Sequence, residues 1–237
     1  MLTGAGTSGR LAVLEAAECL PTFGSEDVVG LIAGGESALL RAKEGAEDDR
    51  AGGRAAAEAL ELSSADFLLG VTASGRTPFV WGTLDAAQAA GAPSGLLCCS
   101  PPPADAPPRT LTIHLATGAE VLSGSTRLKA GTATKCALNA ISTGAMAQLG
   151  KVYDDLMVDV IAGNAKLRLR AARIVATLVE CDEERARALL AACGGEAKPA
   201  IVAGRLGLEP AEARARLSAS GGHLRRALRS SPAGEGA

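Results

Sequence analysis

Three short segments place glycine, hydroxyl side chains and a cation just before stretches of helical periodicity. They are Gly4-Ala5-Gly6-Thr7-Ser8-Gly9-Arg10, Ala73-Ser74-Gly75-Arg76-Thr77-Pro78 and Gly124-Ser125-Thr126-Arg127-Leu128-Lys129-Ala130-Gly131-Thr132. Glycine lets backbone N–H groups approach an anion closely. Ser and Thr add hydroxyl donors, and a helix N-terminus adds positive potential. This is chemistry for a phosphate, with polar room left for the hydroxyls of a sugar. The candidate binding residues are Thr7, Ser8, Ser74, Arg76, Thr77, Ser125, Thr126 and Lys129.

Proton transfer in this chain falls to carboxylates or lysines. Of the two histidines, His114 sits in a strand-like run and His223 follows Gly221-Gly222; neither lies beside a nucleophile motif, which argues against a Ser-His-Asp arrangement. Glu18, Glu44, Glu47 and Glu120 are the acids near the three segments, and no spacing rule chooses among them. None of the six cysteines forms a C-x-x-C pair, so they read as small buried side chains in a reducing compartment, with no metal site. Gly4, Gly6 and Gly9 satisfy G-x-G-x-x-G. However, Glu26 and Asp27 precede the next strand instead of ending it, so the dinucleotide match is weak. The third segment lacks the glycine spacing and terminal Lys-Ser/Thr of a Walker A loop.

A net charge of -2 over 237 residues argues against a nucleic-acid partner, and 2% aromatic residues leave almost no stacking platform for bases. The basic run Leu224 to Arg229 reads as a solvated helix face. No apolar run is long enough to span a bilayer and no secretory signal is evident, so a soluble cytoplasmic protein is expected.

Elements must then position the three loops. Apolar spacing predicts a helix from Gly9 to Leu20, stopped by Pro21, then a strand over Val28 to Ala33. A helical region to about Leu62 follows, broken near Gly45 and Gly52-Gly53. Strands are expected at Phe67–Thr72, Gly95–Cys99 and Thr110–Leu115, with a helix over Pro78–Ala90. This alternation predicts an α/β fold with a parallel sheet and helices on both faces, ligands sitting beyond the carboxyl ends of the strands. After Gly131 only helices are expected: Thr132–Gly150, Asn164–Val179, Glu183–Cys193, Lys198–Leu206, Pro210–Ala219 and His223–Arg229. The expected division is a sugar-phosphate domain over 1–180, a helical bundle over 181–230 and a frayed tail over 231–237.

The wording of several segments resembles the N-acetylmuramic acid 6-phosphate etherase family. They are Gly4 to Arg10 with Ala17-Glu18-Cys19-Leu20-Pro21-Thr22-Phe23, Leu31 to Gly35, Glu44-Gly45-Ala46-Glu47-Asp48, Ala73 to Pro78, Glu120 to Thr132, Leu156 to Val160 and Gly221 to Leu228. The resemblance runs in family order from Gly4 to about Leu228. It implies a SIS (sugar isomerase) fold with a small C-terminal helical domain, a homodimer, and no metal or organic cofactor. It also implies removal of D-lactate from the 3-position ether of N-acetylmuramic acid 6-phosphate. By resemblance Glu47 is the base at C2 and Glu18 the acid that assists lactate departure, with Glu18 buried and protonated and Glu47 ionised. Glu120 is the next acid to consider.

The chain departs from the family pattern in three places. The family carries further helix and a full first strand before Gly4, so the sheet is expected to be N-terminally truncated. Asp154-Asp155 stands where the family usually has Gly-Asn, and Leu20 replaces a usual proline. Two rival readings use the same fold. One is a non-catalytic sugar-phosphate sensor resembling the vertebrate glucokinase regulator. The other is an aldose–ketose isomerase, against which the Glu-Cys-x-Pro-Thr-Phe segment argues.

Overall fold

The computed structural model describes residues 1–109, 111–159 and 165–229. The expected tail over 231–237 lies outside them, as do Thr110, Val160 and Asn164 of the expected segments. Two compact units emerge, one of Met1–Glu18 with Glu26–Ser142, the other of Cys19–Ser25 with Thr143–Ala237.

The first unit is built on five parallel strands: β1 (Leu2–Gly4), β2 (Gly30–Ile32), β3 (Leu68–Thr72), β4 (Ser94–Cys98) and β5 (Leu111–His114). Their spatial order is β2-β1-β3-β4-β5. Helix α1 (Gly6–Phe23) connects β1 to β2. The chain then crosses back through α2 (Ser37–Leu40), a 3-10 turn (Ala46–Asp48) and α3 (Arg50–Glu58) to place β3 on the other side of β1. Helix α4 (Pro78–Ala89) links β3 to β4, and α5 (Lys129–Gln148) follows β5.

Side-chain alternation explains why both faces of this sheet are covered. Leu68 and Leu96 pack with Val80 and Leu84 of α4 on one face. Leu69, Val71 and Leu97 pack with Ala12 of α1 and Leu138 of α5 on the other. A period of two sends successive apolar residues to opposite sides, so a strand that is apolar throughout needs helices on both.

Three boundaries differ from the sequence expectations. Pro21 lies inside α1, which runs on to Phe23. It sits in the last turn, where a missing N–H costs one hydrogen bond and little continuing helix. Gly45 does break the chain, with φ +73, but Gly52 and Gly53 are interior to α3. A Cβ on Gly53 would collide with the Phe79 carbonyl, so this glycine serves close helix–helix packing rather than helix termination. Helix α5 begins at Lys129, three residues early, because a carboxylate caps its first turn.

The second unit holds a two-stranded antiparallel hairpin, β6 (Val152–Tyr153) and β7 (Leu156–Met157), which the sequence reading did not anticipate. It also holds α6 (Ala165–Val179), α7 (Glu183–Ala192), α8 (Ala197–Leu206), α9 (Pro210–Ala219) and α10 (Leu224–Leu228). Val175 of α6, Ile201 of α8, Leu217 of α9 and Leu224 of α10 share one buried cluster. Helix α6, expected in the domain ending at residue 180, therefore packs with the helices that follow it. Asp154 and Asp155 form the hairpin turn, with Asp154 at φ +53 and its carboxylate accepting from Arg225 at 2.5 Å.

All six cysteines are free. Cys98 is buried at the end of β4, where burial pushes its thiol pKa up, but Cys136 is exposed on α5, contrary to the expectation of burial. No described helix is long and apolar enough to cross a membrane.

Candidate active site

The order β2-β1-β3 contains the topological switch point of the sheet. Strand β1 sends its connection one way and β3 sends its own the other, which leaves a crevice outside their carboxyl ends. The first glycine segment follows β1 and the second follows β3, so the fold puts both loops at that crevice.

The first loop turns directly into α1. A Cβ on Gly9 would stand 2.6 Å from the Gly4 carbonyl oxygen and 2.6 Å from Ile32 Cγ1. The two outer glycines thus satisfy helix–strand packing, which accounts for the G-x-G-x-x-G spacing without a dinucleotide. A pocket of about 170 Å³ opens beside this loop, lined among others by Gly6, Arg10, Lys43, Glu44 and Glu47. Gly45 at φ +73 starts the 3-10 turn that carries Glu47 to it. Arg10 is held there by donating from Nε to the Leu39 carbonyl at 2.8 Å. Sequence reasoning placed Arg10 in the first segment but not among the site residues, and it passed over Lys43 altogether.

The second loop is a hydroxyl cluster. Thr72 and Thr77 hydroxyls lie 2.7 Å apart, with Ser74 Oγ 3.4 Å from Thr72. Ser74 Oγ accepts from the Arg76 backbone N–H at 3.1 Å. Thr72 is buried, whereas Ser74 and Arg76 are exposed. Thr77 precedes Pro78, the first residue of α4.

The third loop is organised by Glu120. Its two carboxylate oxygens accept from the backbone N–H groups of Lys129 (3.0 Å) and Ala130 (2.9 Å) at the start of α5. The Ala130 N–H, with help from the N–H and charge of Lys129, holds the carboxyl below its ordinary range against the opposing effect of desolvation. Glu120 is thus an ionised cap with both oxygens committed. Lys129 turns its ammonium to the Thr117 carbonyl at 3.0 Å. The Thr126 carbonyl accepts from Gly131 at 3.0 Å. A Cβ on Gly131 would lie 3.5 Å from Thr7 Cγ2, so the first turn of α5 packs beside the first loop. Ser125 is half-buried in the same segment.

Glu18 is the exception. It is exposed, contrary to the expected burial, and it is absent from the described lining of the Glu47 pocket. The reason is helical geometry. Glu18 lies twelve residues beyond Gly6 on α1, about 18 Å along the axis. The buried carboxylate of this helix is instead Glu15, on the face shared with Ala12 and Cys19. Sequence reasoning missed Glu15, although a glutamate at helical spacing between two apolar positions is the signal of a paired buried charge. Among the described residues no group of three or more His, Cys, Asp or Glu is placed to hold a metal.

A 2-1-3-4-5 parallel sheet with hydroxyl and glycine loops at its switch point places the first unit among the doubly wound α/β domains that bind ligands at that crevice. A family model described as the glucokinase regulatory protein N-terminal SIS domain matches residues 1–88. An N-acetylmuramic acid 6-phosphate etherase of Synechococcus elongatus is 51% identical over 227 residues, covering 95% of this chain and 74% of that protein. One from Serratia proteamaculans is also 51% identical, covering 95% and 76%. The protein named N-acetylmuramic acid 6-phosphate etherase 2 of Vibrio cholerae is 49% identical, covering 95% and 74%. The chain belongs to the N-acetylmuramic acid 6-phosphate etherase family.

Proposed function

We propose that this protein cleaves the C3 lactyl ether of N-acetylmuramic acid 6-phosphate, giving N-acetylglucosamine 6-phosphate and D-lactate, as a carbon–oxygen lyase working by elimination and then water addition. The observation that carries this reading is the pocket in which Glu47 shares a wall with the first glycine loop, Arg10 and Lys43. Opening the sugar ring exposes the C1 aldehyde, which acidifies C2–H. Glu47 takes that proton, the C3–O bond breaks, and lactate leaves with a proton from a second acid. Water then adds its hydroxyl at C3 while the second acid, now ionised, takes the water's remaining proton, and C2 regains a proton from Glu47. General acid–base help of this kind is worth about 10²–10⁴-fold for each group. Ser74, Thr77 and Arg76 are assigned to the phosphate, with Thr7 and Ser8 beside them. Ser125, Thr126 and Lys129 are assigned to the sugar side.

The second acid is assigned to Glu18 of a second copy in a homodimer. One turn before Glu18, α1 exposes Leu14 (43%), and α5 exposes Ile141 (37%), apolar side chains that a like partner would cover. The reaction takes place in the cytoplasm, a reducing compartment in keeping with six free cysteines.

The test is Glu47→Ala in solvent D₂O. Loss of C2 proton exchange supports Glu47 as the base, and exchange at the normal rate removes it from that role. The family-model match also favours a non-catalytic sugar-phosphate sensor as a second reading. Release of D-lactate by the purified protein decides for the enzyme, and its absence from a folded sample that binds the substrate decides for the sensor.

A further inference from the structure

Trp81, the single tryptophan of the chain, is spent on an unusual task. Its indole Nε1 donates to the Gly75 carbonyl at 3.0 Å, at the apex of the hydroxyl loop, where Gly75 adopts φ +74. On the other side the Arg50 guanidinium lies over the indole ring, 5.6 Å from its centroid. Arg50 is itself locked by a two-pronged pair with Asp85, Nε to Oδ2 at 2.8 Å and Nη2 to Oδ1 at 3.0 Å. It opens α3, two residues after the 3-10 turn that carries Glu47 ends. The backbones beneath are in close contact, since a Cβ on Gly82 of α4 would strike the Arg50 carbonyl and one on Gly53 of α3 the Phe79 carbonyl. An unbroken path therefore runs from Glu47 through Arg50 and Trp81 to the carbonyl of Gly75, between Ser74 and Arg76.

We propose that Trp81 and Arg50 are positioning residues that lock the Glu47 segment to the hydroxyl loop, so that seating a phosphate between Ser74 and Thr77 sets the base at its working distance from C2. The inference rests on the etherase reading for the roles of Glu47 and the loop. The strut itself rests only on the contacts above. Phosphate on the loop changes the field at Gly75 and with it the indole N–H, so Trp81 also reports occupancy through its emission.

Two measurements test this. Inorganic phosphate, which cannot turn over, is titrated into the wild-type protein while tryptophan emission is followed. A saturable shift, abolished in Ser74→Ala, is expected; emission unchanged at saturating phosphate, with binding verified by calorimetry, overturns the proposal. In parallel, Trp81→Phe keeps an aromatic ring under Arg50 but loses the N–H donor. KM is expected to rise and C2 proton exchange to slow together, by about three- to tenfold each, the worth of one neutral hydrogen bond. Merely structural loss would lower thermal stability and leave both kinetic readings unmoved, and that result also overturns the proposal. Arg50→Lys, which loses the fork to Asp85 and the flat stack on the indole, serves if Trp81→Phe does not fold and is expected to move the same two readings. Absence of D-lactate release from the wild type would remove the etherase reading, while the emission titration would still decide the strut.

Discussion

Glu15 on α1 and Lys135 on α5 form a paired charge cut off from water on the carboxylate side. Lys135 Nζ donates to Glu15 Oε2 at 2.5 Å, Ser142 donates to Glu15 Oε1 at 2.5 Å, and Lys135 also donates to Asn139 Oδ1 at 2.7 Å. The Glu15 side chain is 6% exposed and that of Lys135 31%. A carboxylate this buried is tolerated only because both oxygens are satisfied. The clip joins the helices that begin at the first and third loops, so it holds those loops in register as well.

Removing one partner of this pair leaves the other uncompensated. Lys135→Met is expected to destabilise the protein by about 3 kcal/mol in urea unfolding, because the buried Glu15 carboxylate loses its counter-charge. A loss under about 1 kcal/mol would mean that the pair is solvated like a surface bridge.

Glu18 and Glu47 are separated along a single chain, which makes mixing of variants informative. Glu18→Ala and Glu47→Ala are each expected to be inactive alone. Refolded together in equal amounts, they should recover about one quarter of wild-type turnover, since half the dimers are mixed and each carries one complete site. No recovery, with mixed dimers verified by mass, would place the second acid elsewhere.

Glu120 makes stability depend on pH at the acid end. Its carboxyl titrates below the ordinary value of 4.5 in the folded state, through the Ala130 N–H first. The folded state therefore gives up the proton more readily than the unfolded chain. The contribution is complete above about pH 4.5 and is lost as pH falls through the lower, folded-state value. Glu120→Gln should lower stability at neutral pH and flatten the acid limb of the stability curve. An unchanged acid limb would show that the cap does not titrate with folding.

Asp154 tests the hairpin turn. At φ +53 a branched side chain is strained, whereas glycine is not. Asp154→Val should be less stable than Asp154→Gly by about 1–2 kcal/mol, with both losing the exposed pair to Arg225. Equal midpoints in thermal unfolding would place the turn in an extended conformation.

Composition and periodicity carried the architecture. Apolar runs near Leu68–Thr72 and Ser94–Cys98, alternating with helical spacing, left a parallel sheet covered on both faces as the physical solution, and the three hydroxyl loops were visible as residue types. Helix packing was not visible in the same way. Gly52-Gly53 read as a break because a glycine pair in isolation favours one; only the Phe79 carbonyl across the interface explains why the helix continues. Glu15, Lys43 and Trp81 escaped notice, and Arg10 stood out only as part of its segment, because their importance is relational, set by a group 29 residues away for Arg10 and 120 for Glu15. Glu18 stood out in sequence for its neighbours, yet a rise of about 1.5 Å per residue carried it to the far end of α1. Local chemistry is written in residue type and spacing. Which carboxylate meets which loop is decided by long-range packing, because only the folded backbone sets those distances.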